Sequence, residues 1–221
     1  MYLSRLILNP RSRQVRNELA DPYELHRTVY QAFPHANYKD NESSGILFRV
    51  DLHPRTQVPT LLVQSSQTPE WAFLLSEKKG YLLNDADLPL EVENPSFREL
   101  DLRLHAGQVL AFRLRANPTK RIKDTTKRIG LVQEEEQRAW LERKLATAGS
   151  ALISVNIADE QIMHGKLFKE KEPEKRMNLL SVRFDGVLQV KDPTQLVKSI
   201  QAGFGSAKGL GFGLLSLARP Q

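Results

Sequence analysis

Hydrophobic and polar positions follow the same order of predicted elements in both halves of the chain. In the first half they predict strands at 2–8, 46–52, 60–64 and 88–92, with helices at 21–33 and 69–75. In the second half they predict strands at 108–115, 151–157, 179–190 and 214–217, with helices beginning at Glu134 and Asp192. Residues 117–130 are expected to form a loop.

The order strand-helix-strand-strand-helix-strand, read twice, is typical of the ferredoxin-like fold. We therefore expect an α+β protein of two tandem ferredoxin-like (RRM-like) βαββαβ domains. The N-terminal domain is expected to span residues 1–97. The C-terminal domain, residues 98–221, carries a basic loop and a glycine-rich loop. The two halves share no visible sequence identity, so the repeat is one of architecture only.

The helix predicted at 21–33 carries the first candidate for chemistry. Asp21 is the expected N-cap, Pro22 takes the first helical position, and Glu24 is the expected capping-box partner. Tyr23 and His26 lie on one helix face, and a histidine titrates near neutrality, which suits general acid or base catalysis. From these residues alone, a solvated histidine beside core-edge aromatics is the more common arrangement.

Composition excludes several classes of protein. The 221 residues include no cysteine, which removes disulfides, thiolate nucleophiles and cysteine-ligated metals. No apolar run approaches the ~20 residues of a membrane span, and a cytoplasmic protein is expected. None of the five histidines has metal-ligand spacing, and Asp85-Ala86-Asp87 is the one acidic cluster that stands out. No metal and no cofactor are expected.

Charge is distributed unevenly, although the formal net charge is only +6. Residues 70–101 have a net charge of −5, whereas residues 112–130 have a net charge of +6, carried by seven bases against one acid. Such a cluster suits a polyphosphate backbone, with RNA or DNA as the obvious partner. We call residues 113–128 the basic window; its bases are Arg113, Arg115, Lys120, Arg121, Lys123, Lys127 and Arg128.

Two further segments are binding candidates, of which the glycine-rich loop is the most specific local signal in the chain and the stretch around Lys166 ranks lower. Lys166 and Lys169 belong to a basic stretch that neighbouring glutamates dilute. The glycine-rich loop, residues 203–213, follows a predicted helix and precedes a strand, so it is neither a Walker A nor a Rossmann loop. Glycines let backbone N–H groups crowd an anion, and Lys208 adds a charge suited to phosphate. Five of the chain's twelve glycines lie in this loop: Gly203, Gly205, Gly209, Gly211 and Gly213.

Five segments in order resemble the type I-E CRISPR repeat-processing endoribonucleases, the CasE family. The resemblance extends over essentially the whole chain. Its marks are Met1-Tyr2-Leu3-Ser4, Tyr23-Glu24-Leu25-His26-Arg27, the segment from Phe112 to Lys120, Trp140-Leu141-Glu142-Arg143-Lys144-Leu145, and Gly213-Leu214-Leu215-Ser216-Leu217.

The resemblance implies two ferredoxin-like domains and metal-independent cleavage of the repeat hairpins of precursor CRISPR RNA. It also implies that the protein stays bound to the CRISPR RNA (crRNA) and joins other subunits of the Cascade complex. By resemblance, His26 acts on the 2′-hydroxyl nucleophile or the leaving 5′-oxygen, and Tyr23 supports it. Arg27 and Lys208 are candidates to stabilise phosphorane charge, and the basic window and glycine-rich loop would grip the hairpin. A non-catalytic RNA-binding assembly subunit and a metal-dependent nuclease remain as alternatives.

Overall fold

A computed structural model describes residues 1–34, 45–84, 92–125, 127–167 and 175–220, with only the backbone described at 159–167 and 175–178. The chain forms two compact units. Unit 1 is Met1–Asp101 with Gly209–Gly211, and unit 2 is Leu102–Lys208 with Phe212–Gln221. The domain boundary expected after residue 97 stays a prediction.

Unit 1 is a four-stranded antiparallel sheet with three helices. Its strands are β1 Tyr2–Ile7, β2 Leu47–Leu52, β3 Pro59–Ser65 and β4 Ser96–Glu99. Its helices are α1 Arg13–Ala20, α2 Pro22–Gln31 and α3 Phe73–Ser76. The strand order is β2-β3-β1-β4, which puts the first strand in the middle of the sheet.

The core of unit 1 lies between the sheet and its helices. Leu6, Leu61 and Val63 from the strands pack with Val29 from α2, and each is at most 1 % exposed. Trp71 is also buried and donates from Nε1 to Ser4 Oγ at 3.0 Å, which satisfies both polar groups inside the core.

Asp21 joins the first two helices. Its carboxylate accepts from the Tyr23 backbone N–H at 3.0 Å, so it is the N-cap that the sequence predicts. The expected capping box with Glu24 is wrong: the Asp21 carboxylate bonds one position earlier, at Tyr23, and the Glu24 side chain does not return to the Asp21 N–H. The Asp21 backbone N–H bonds instead to the Asn17 carbonyl at the end of α1, and Glu24 pairs with Arg27 at 3.2 Å.

Two elements of unit 1 differ from the sequence prediction. Helix α1, capped by Ser12, was not expected, because the segment is short and has only one fully buried apolar side chain, Val15. The last strand was expected at 88–92; residues 85–91 lie outside the described residues, and Val92 is not in a strand. The last strand of the unit is β4, at one edge of the sheet, which pairs with β1 from Tyr2↔Glu99 to Arg5↔Ser96.

A buried carboxylate connects α1 to the rest of unit 1. Glu18 is only 6 % exposed and accepts from Tyr81 Oη at 2.6 Å and from Thr28 Oγ1, on α2, at 2.9 Å. The Lys78 ammonium lies 3.5 Å from the carboxylate and donates to Thr28 Oγ1 at 2.8 Å. Burial and the Glu18 carboxylate raise the pKa of the Tyr81 hydroxyl, which therefore stays a hydrogen-bond donor.

Unit 2 repeats the same topology around a second four-stranded antiparallel sheet. Its helices are α4 Glu134–Thr147 and α5 Pro193–Ala202. A 3-10 turn at Lys208–Leu210 begins at the last residue before the Gly209–Gly211 segment of unit 1. The strands are β5 Val109–Ala116, β6 Thr119–Arg121, β7 Arg128–Gly130, β8 Ser150–Leu167, β9 Lys175–Val190 and β10 Leu215–Ala218. The order of the sheet, β10-β5-β9-β8, again places the first strand of the sheet beside its third and fourth.

Two expectations for unit 2 need correction. Residues 117–130 are not simply a loop, because β6 and β7 pair as a separate antiparallel hairpin from Thr119↔Gly130 to Arg121↔Arg128. Strands β8 and β9 also extend far beyond the predicted ends, with backbone pairing out to Leu167↔Lys175. The β6–β7 hairpin has almost entirely exposed side chains, so it lacks the alternation of buried and exposed positions that predicts a strand.

The helix ends of unit 2 agree with the sequence. Asp192 caps α5 by accepting from the Gln195 backbone N–H at 2.9 Å. Gly149 follows α4 with φ +79°, and a Cβ there would lie 2.8 Å from the Asp192 carbonyl oxygen, so only glycine fits this turn. Among the described residues, no helix is long and apolar enough to span a membrane.

The contacts of the buried Glu18 carboxylate predict a large difference in stability between two glutamate substitutions. Glu18→Ala leaves the Tyr81 hydroxyl and the Lys78 ammonium without their carboxylate and should lower the free energy of unfolding by about 3 kcal/mol. Glu24→Ala removes only an exposed pair with Arg27 and should cost about 0.5 kcal/mol or less. Urea unfolding in a Trp140→Phe background, where Trp71 fluorescence reports unit 1 alone, measures both; equal losses would contradict the prediction.

Candidate functional site

The burial of one face of α2 determines where its polar side chains lie. Leu25, Val29 and Tyr30 are at most 4 % exposed and face the core of unit 1. Tyr23 and His26 are three residues apart and therefore lie on the same side of the helix. Both are half-buried, at the edge of the buried face. The structure therefore places Tyr23 and His26 together, at the boundary between core and solvent.

The His26 imidazole lies between two tyrosine rings. Its centroid is 4.1 Å from that of Tyr30 and 6.1 Å from that of Tyr23, with the Tyr23 ring nearly parallel to it. Within the described part of the chain, His26 Nδ1 is the one buried side-chain nitrogen or oxygen that has no hydrogen-bond partner. A buried polar atom of this kind is costly unless a ligand or a water satisfies it.

The surroundings of His26 favour its neutral form. Burial lowers the pKa of the imidazole below its ordinary value of 6.5, and a backbone interaction with Gly209 opposes this only in part. At neutral pH, the imidazole is therefore uncharged. A neutral imidazole has a free lone pair on one ring nitrogen and can accept a proton there.

The segment Gly209–Gly211 belongs to unit 1 and lies beside this histidine. Gly211 has φ +89°, and a Cβ there would lie 3.2 Å from Phe48 Cε2. A larger residue at Gly211 would be strained in its backbone and crowded against the buried Phe48 ring. Gly211 therefore allows the backbone to approach β2 closely.

The other glycines of the loop serve the packing of unit 2. Gly203 ends α5 with φ +76°, and its N–H bonds to the Ser199 carbonyl. The backbone of Gly213 donates to Arg115 O at 2.8 Å and accepts from Phe204 N at 2.9 Å. A Cβ at Gly205 would lie 3.0 Å from Trp140. Their roles as anion-binding residues stay predictions.

Several of the predicted basic residues have partners inside their own unit. Arg113 Nε lies 2.5 Å from Asp185 Oδ1. Arg115 Nε donates to Ser181 Oγ at 2.8 Å, and its guanidinium lies 5.5 Å from the centre of the Phe212 ring. Lys208 Nζ donates to the Ala202 carbonyl at 2.7 Å. These contacts orient the three side chains, and the carboxylate of Asp185 also offsets the charge of Arg113.

The rest of the basic window lies on the β6–β7 hairpin and is exposed. Lys120 Nζ contacts Glu136 Oε1 of α4 at 2.6 Å. The remaining four bases, two on the strands and two in the connecting turn, have no ion-pair partner among the described residues: Arg121, Lys123, Lys127 and Arg128. Lys166 lies in β8, but its side chain is outside the described residues, and Lys169 is outside them entirely.

Arg27 lies next to His26 in the sequence but points to solvent, with its side chain 63 % exposed. Its pair with Glu24 is a surface contact that a stronger anion can displace. No group of three or more histidine, aspartate or glutamate side chains in the described ranges is placed to hold a metal ion. Asp85-Ala86-Asp87 lies outside those ranges.

Sequence reasoning missed two contacts that shape this site. Nothing in the chain indicates that the backbone of Gly209, more than 180 residues away, interacts with His26. Glu18 was also missed, because it lies on a helix that the apolar pattern does not predict, and a glutamate is expected on a surface. The spacing of Tyr23 and His26 marked one face of this helix as a candidate, and the family resemblance was the signal that favoured a catalytic role for it.

The lowered pKa of His26 predicts a pH-dependent part of the stability. The unfolded chain takes up a proton on His26 near pH 6.5, whereas the folded chain does so only at lower pH. The free energy of unfolding therefore falls as the pH drops below about 6.5, and His26→Gln should remove this part of the fall. Urea unfolding of both proteins at about pH 7.5 and about pH 5.5 measures it; identical pH dependence would contradict the prediction.

Comparison with known proteins agrees with the resemblance found in the sequence. The chain is 36 % identical to the CRISPR-associated endoribonuclease Cse3 of Thermus thermophilus, over 99 % of this chain and 100 % of that protein. It is 30 % identical to the CRISPR system Cascade subunit CasE of Escherichia coli, over 99 % of each chain.

Solved structures match the whole fold as well. A Cse3 endoribonuclease bound to a 19-nucleotide RNA superposes with a TM-score of 0.82 at 36 % identity, over 99 % of this chain and 100 % of that one. Thermus thermophilus Cse3 bound to an RNA representing a pre-cleavage complex gives a TM-score of 0.76 at 34 % identity, over 98 % of each chain. The expectation of two ferredoxin-like domains is thereby confirmed. The model of the family described as CRISPR associated protein matches residues 1–219, and the chain belongs to this family.

Proposed function

We propose that this protein is a metal-independent endoribonuclease that cleaves the repeat hairpins of precursor CRISPR RNA. It then stays bound to the crRNA as a Cascade subunit. The observation that carries the proposal is the half-buried, neutral His26 beside Tyr23, with an unsatisfied Nδ1. The names of the similar proteins support it, since one is an endoribonuclease and the other a Cascade subunit.

The proposed reaction uses the substrate's own nucleophile. The 2′-oxygen attacks the adjacent phosphorus, the bond from phosphorus to the 5′-oxygen breaks, and the products are a 2′,3′-cyclic phosphate and a 5′-hydroxyl. One proton must leave the 2′-hydroxyl and one must reach the 5′-oxygen. No cysteine, metal or cofactor is required for any of these steps.

His26 is the proton-transfer group in this scheme. Because burial keeps its imidazole neutral near pH 7, it can accept the 2′-hydroxyl proton through a ring nitrogen and return a proton to the 5′-oxygen. Tyr23 lies close enough to orient the imidazole or to donate to a phosphoryl oxygen. Arg27 and Lys208 are candidates to offset the phosphorane charge, Arg27 because its guanidinium reaches solvent beside His26.

Binding would depend mainly on the phosphate backbone. An A-form stem hides its base edges in a deep, narrow groove, so shape and phosphate contacts dominate recognition. The exposed bases of the β6–β7 hairpin and the backbone N–H groups of the glycine-rich loop suit that task. Arg113 and Arg115 are held in place on β5 and would add charge to one face of the unit 2 sheet.

Substituting His26 should separate cleavage from binding. His26→Ala removes the proton-transfer group and should slow single-turnover cleavage of a repeat RNA by roughly 10²–10⁴-fold, while the dissociation constant of the RNA changes little. The exposed His105→Ala is the matched control and should cleave like the wild type. A repeat RNA with a 2′-deoxy group at the cut site should resist the wild type, and cleavage should persist in EDTA.

Each alternative has its own outcome in this experiment. Undiminished cutting of the deoxy substrate would disprove attack by the 2′-oxygen. Activity that EDTA abolishes and magnesium restores would identify a metal-dependent nuclease. Tight binding of the repeat RNA by the wild type without any cut product would identify a non-catalytic assembly subunit.

Removing only the Tyr23 hydroxyl should have a smaller effect. Tyr23→Phe keeps the ring that lies parallel to His26 but removes one hydrogen-bonding group near the reacting phosphate. We expect a loss of roughly 10- to 100-fold in the single-turnover rate, with RNA affinity retained. A rate equal to that of the wild type would show that only the aromatic ring is needed.

A further inference from the structure

Two arginines face each other across the β6–β7 hairpin of unit 2. The register pairs Arg121 of β6 directly with Arg128 of β7. Directly opposed residues of an antiparallel pair point to the same face, with Cβ atoms about 4.5–5.5 Å apart. Both side chains are exposed. The hairpin therefore presents two guanidinium groups side by side on one face.

This arrangement is unfavourable in the free protein. Like charges placed directly opposite each other destabilise a strand pair. Neither arginine has an ion-pair partner among the residues that the structure describes, and the acid in the connecting turn, Asp124, is not within ion-pair distance of either. An anion bound between the two guanidinium groups would remove the repulsion.

The neighbouring Lys120, unlike the two arginines, has an ion-pair partner. Lys120 lies on the opposite face of β6, because side chains alternate along a strand. Its ammonium contacts Glu136 in the acidic first turn of α4. On one face of the hairpin, Lys120 is therefore paired with α4. On the other face, Arg121 and Arg128 have no acidic partner among the described residues.

We propose that Arg121 and Arg128 form a clamp for phosphates of an RNA backbone. The inference rests on the proposed function, since it assigns part of RNA binding to this pair. A guanidinium group presents a planar fork of donors that matches phosphate oxygens, and two adjacent forks can bind one phosphate or two successive ones.

The clamp is independent of base sequence. Residues 119–130 contain no aromatic side chain on which a base could stack. The groove of an A-form stem that carries most base information is too deep and narrow for side chains to enter. The pair therefore contributes affinity and position along the strand, whatever the sequence of the repeat.

The test compares two double substitutions that remove the same charge from unit 2. Arg121→Gln/Arg128→Gln removes the clamp, and Arg143→Gln/Lys144→Gln removes two exposed charges from α4. Both are made in a His26→Ala background to limit cutting. Their binding to a repeat hairpin RNA, and to a hairpin of unrelated sequence, is followed by fluorescence anisotropy from about 50 to about 300 mM KCl.

The clamp variant should bind both RNAs about tenfold or more weakly at low salt. The plot of the logarithm of the association constant against the logarithm of the salt concentration has a negative slope. This slope should become about 1.5 less steep, because two phosphate contacts are lost. The α4 variant should keep the slope of its parent. Arg121→Lys/Arg128→Lys, which retains the charge, should keep most of the slope and so show that the hairpin still folds.

Three results would overturn the clamp. The first is an unchanged slope in the clamp variant, and the second is an equal loss of slope in both double variants. The third is a loss of affinity for the repeat RNA but not for the unrelated hairpin, which would indicate that the two arginines recognise bases. Wild-type cleavage of the repeat RNA, run in parallel, tests the proposed function separately, so a failed clamp with normal cleavage leaves that function standing. An acidic protein surface as the true ligand would appear as unchanged RNA binding.

Discussion

The burial of one face of α2 is the constraint on which the candidate active site depends. Leu25 and Val29 have to reach the core of unit 1, and this requirement fixes the rotation of the helix about its axis. Once the rotation is set, His26 lies at the edge of the core. The same partial burial removes water from the imidazole and lowers its pKa. The packing of α2 and the lowered pKa of His26 therefore have one physical origin.

The position of α2 along its axis depends on polar contacts that an apolar pattern does not reveal. Asp21 caps α2 with its side chain and ends α1 with its backbone N–H, so the two helices meet at one residue. Glu18 then links α1 to Thr28 of α2 and to Tyr81. A buried carboxylate with several hydrogen-bond partners holds neighbouring elements in one arrangement, since any shift would leave a charge unsatisfied.

The bases of the basic window differ in their contacts once the chain is folded. Arg113 and Arg115 lie on a core strand and have partners within the sheet face. Lys120 pairs with Glu136 of α4. Arg121 and Arg128 are exposed and have no acidic partner among the described residues. The net charge of +6 over residues 112–130 is therefore an upper bound on the charge available to a ligand.

Apart from α1 and the position of the last strand of unit 1, the sequence by itself determined the βαββαβ order of both units. It also determined the caps at Asp21 and Asp192 and the grouping of Tyr23 and His26 on one helix face. These features follow from local periodicity and from side chains that bond to their own backbone. It also carried the family resemblance, which the comparisons confirm. Only the tertiary structure decided which charged residues are paired, that Glu18 is buried, that residues 119–130 form a hairpin, and that Gly209 interacts with His26. Those outcomes depend on contacts between residues far apart in the chain, and neither periodicity nor composition records such contacts.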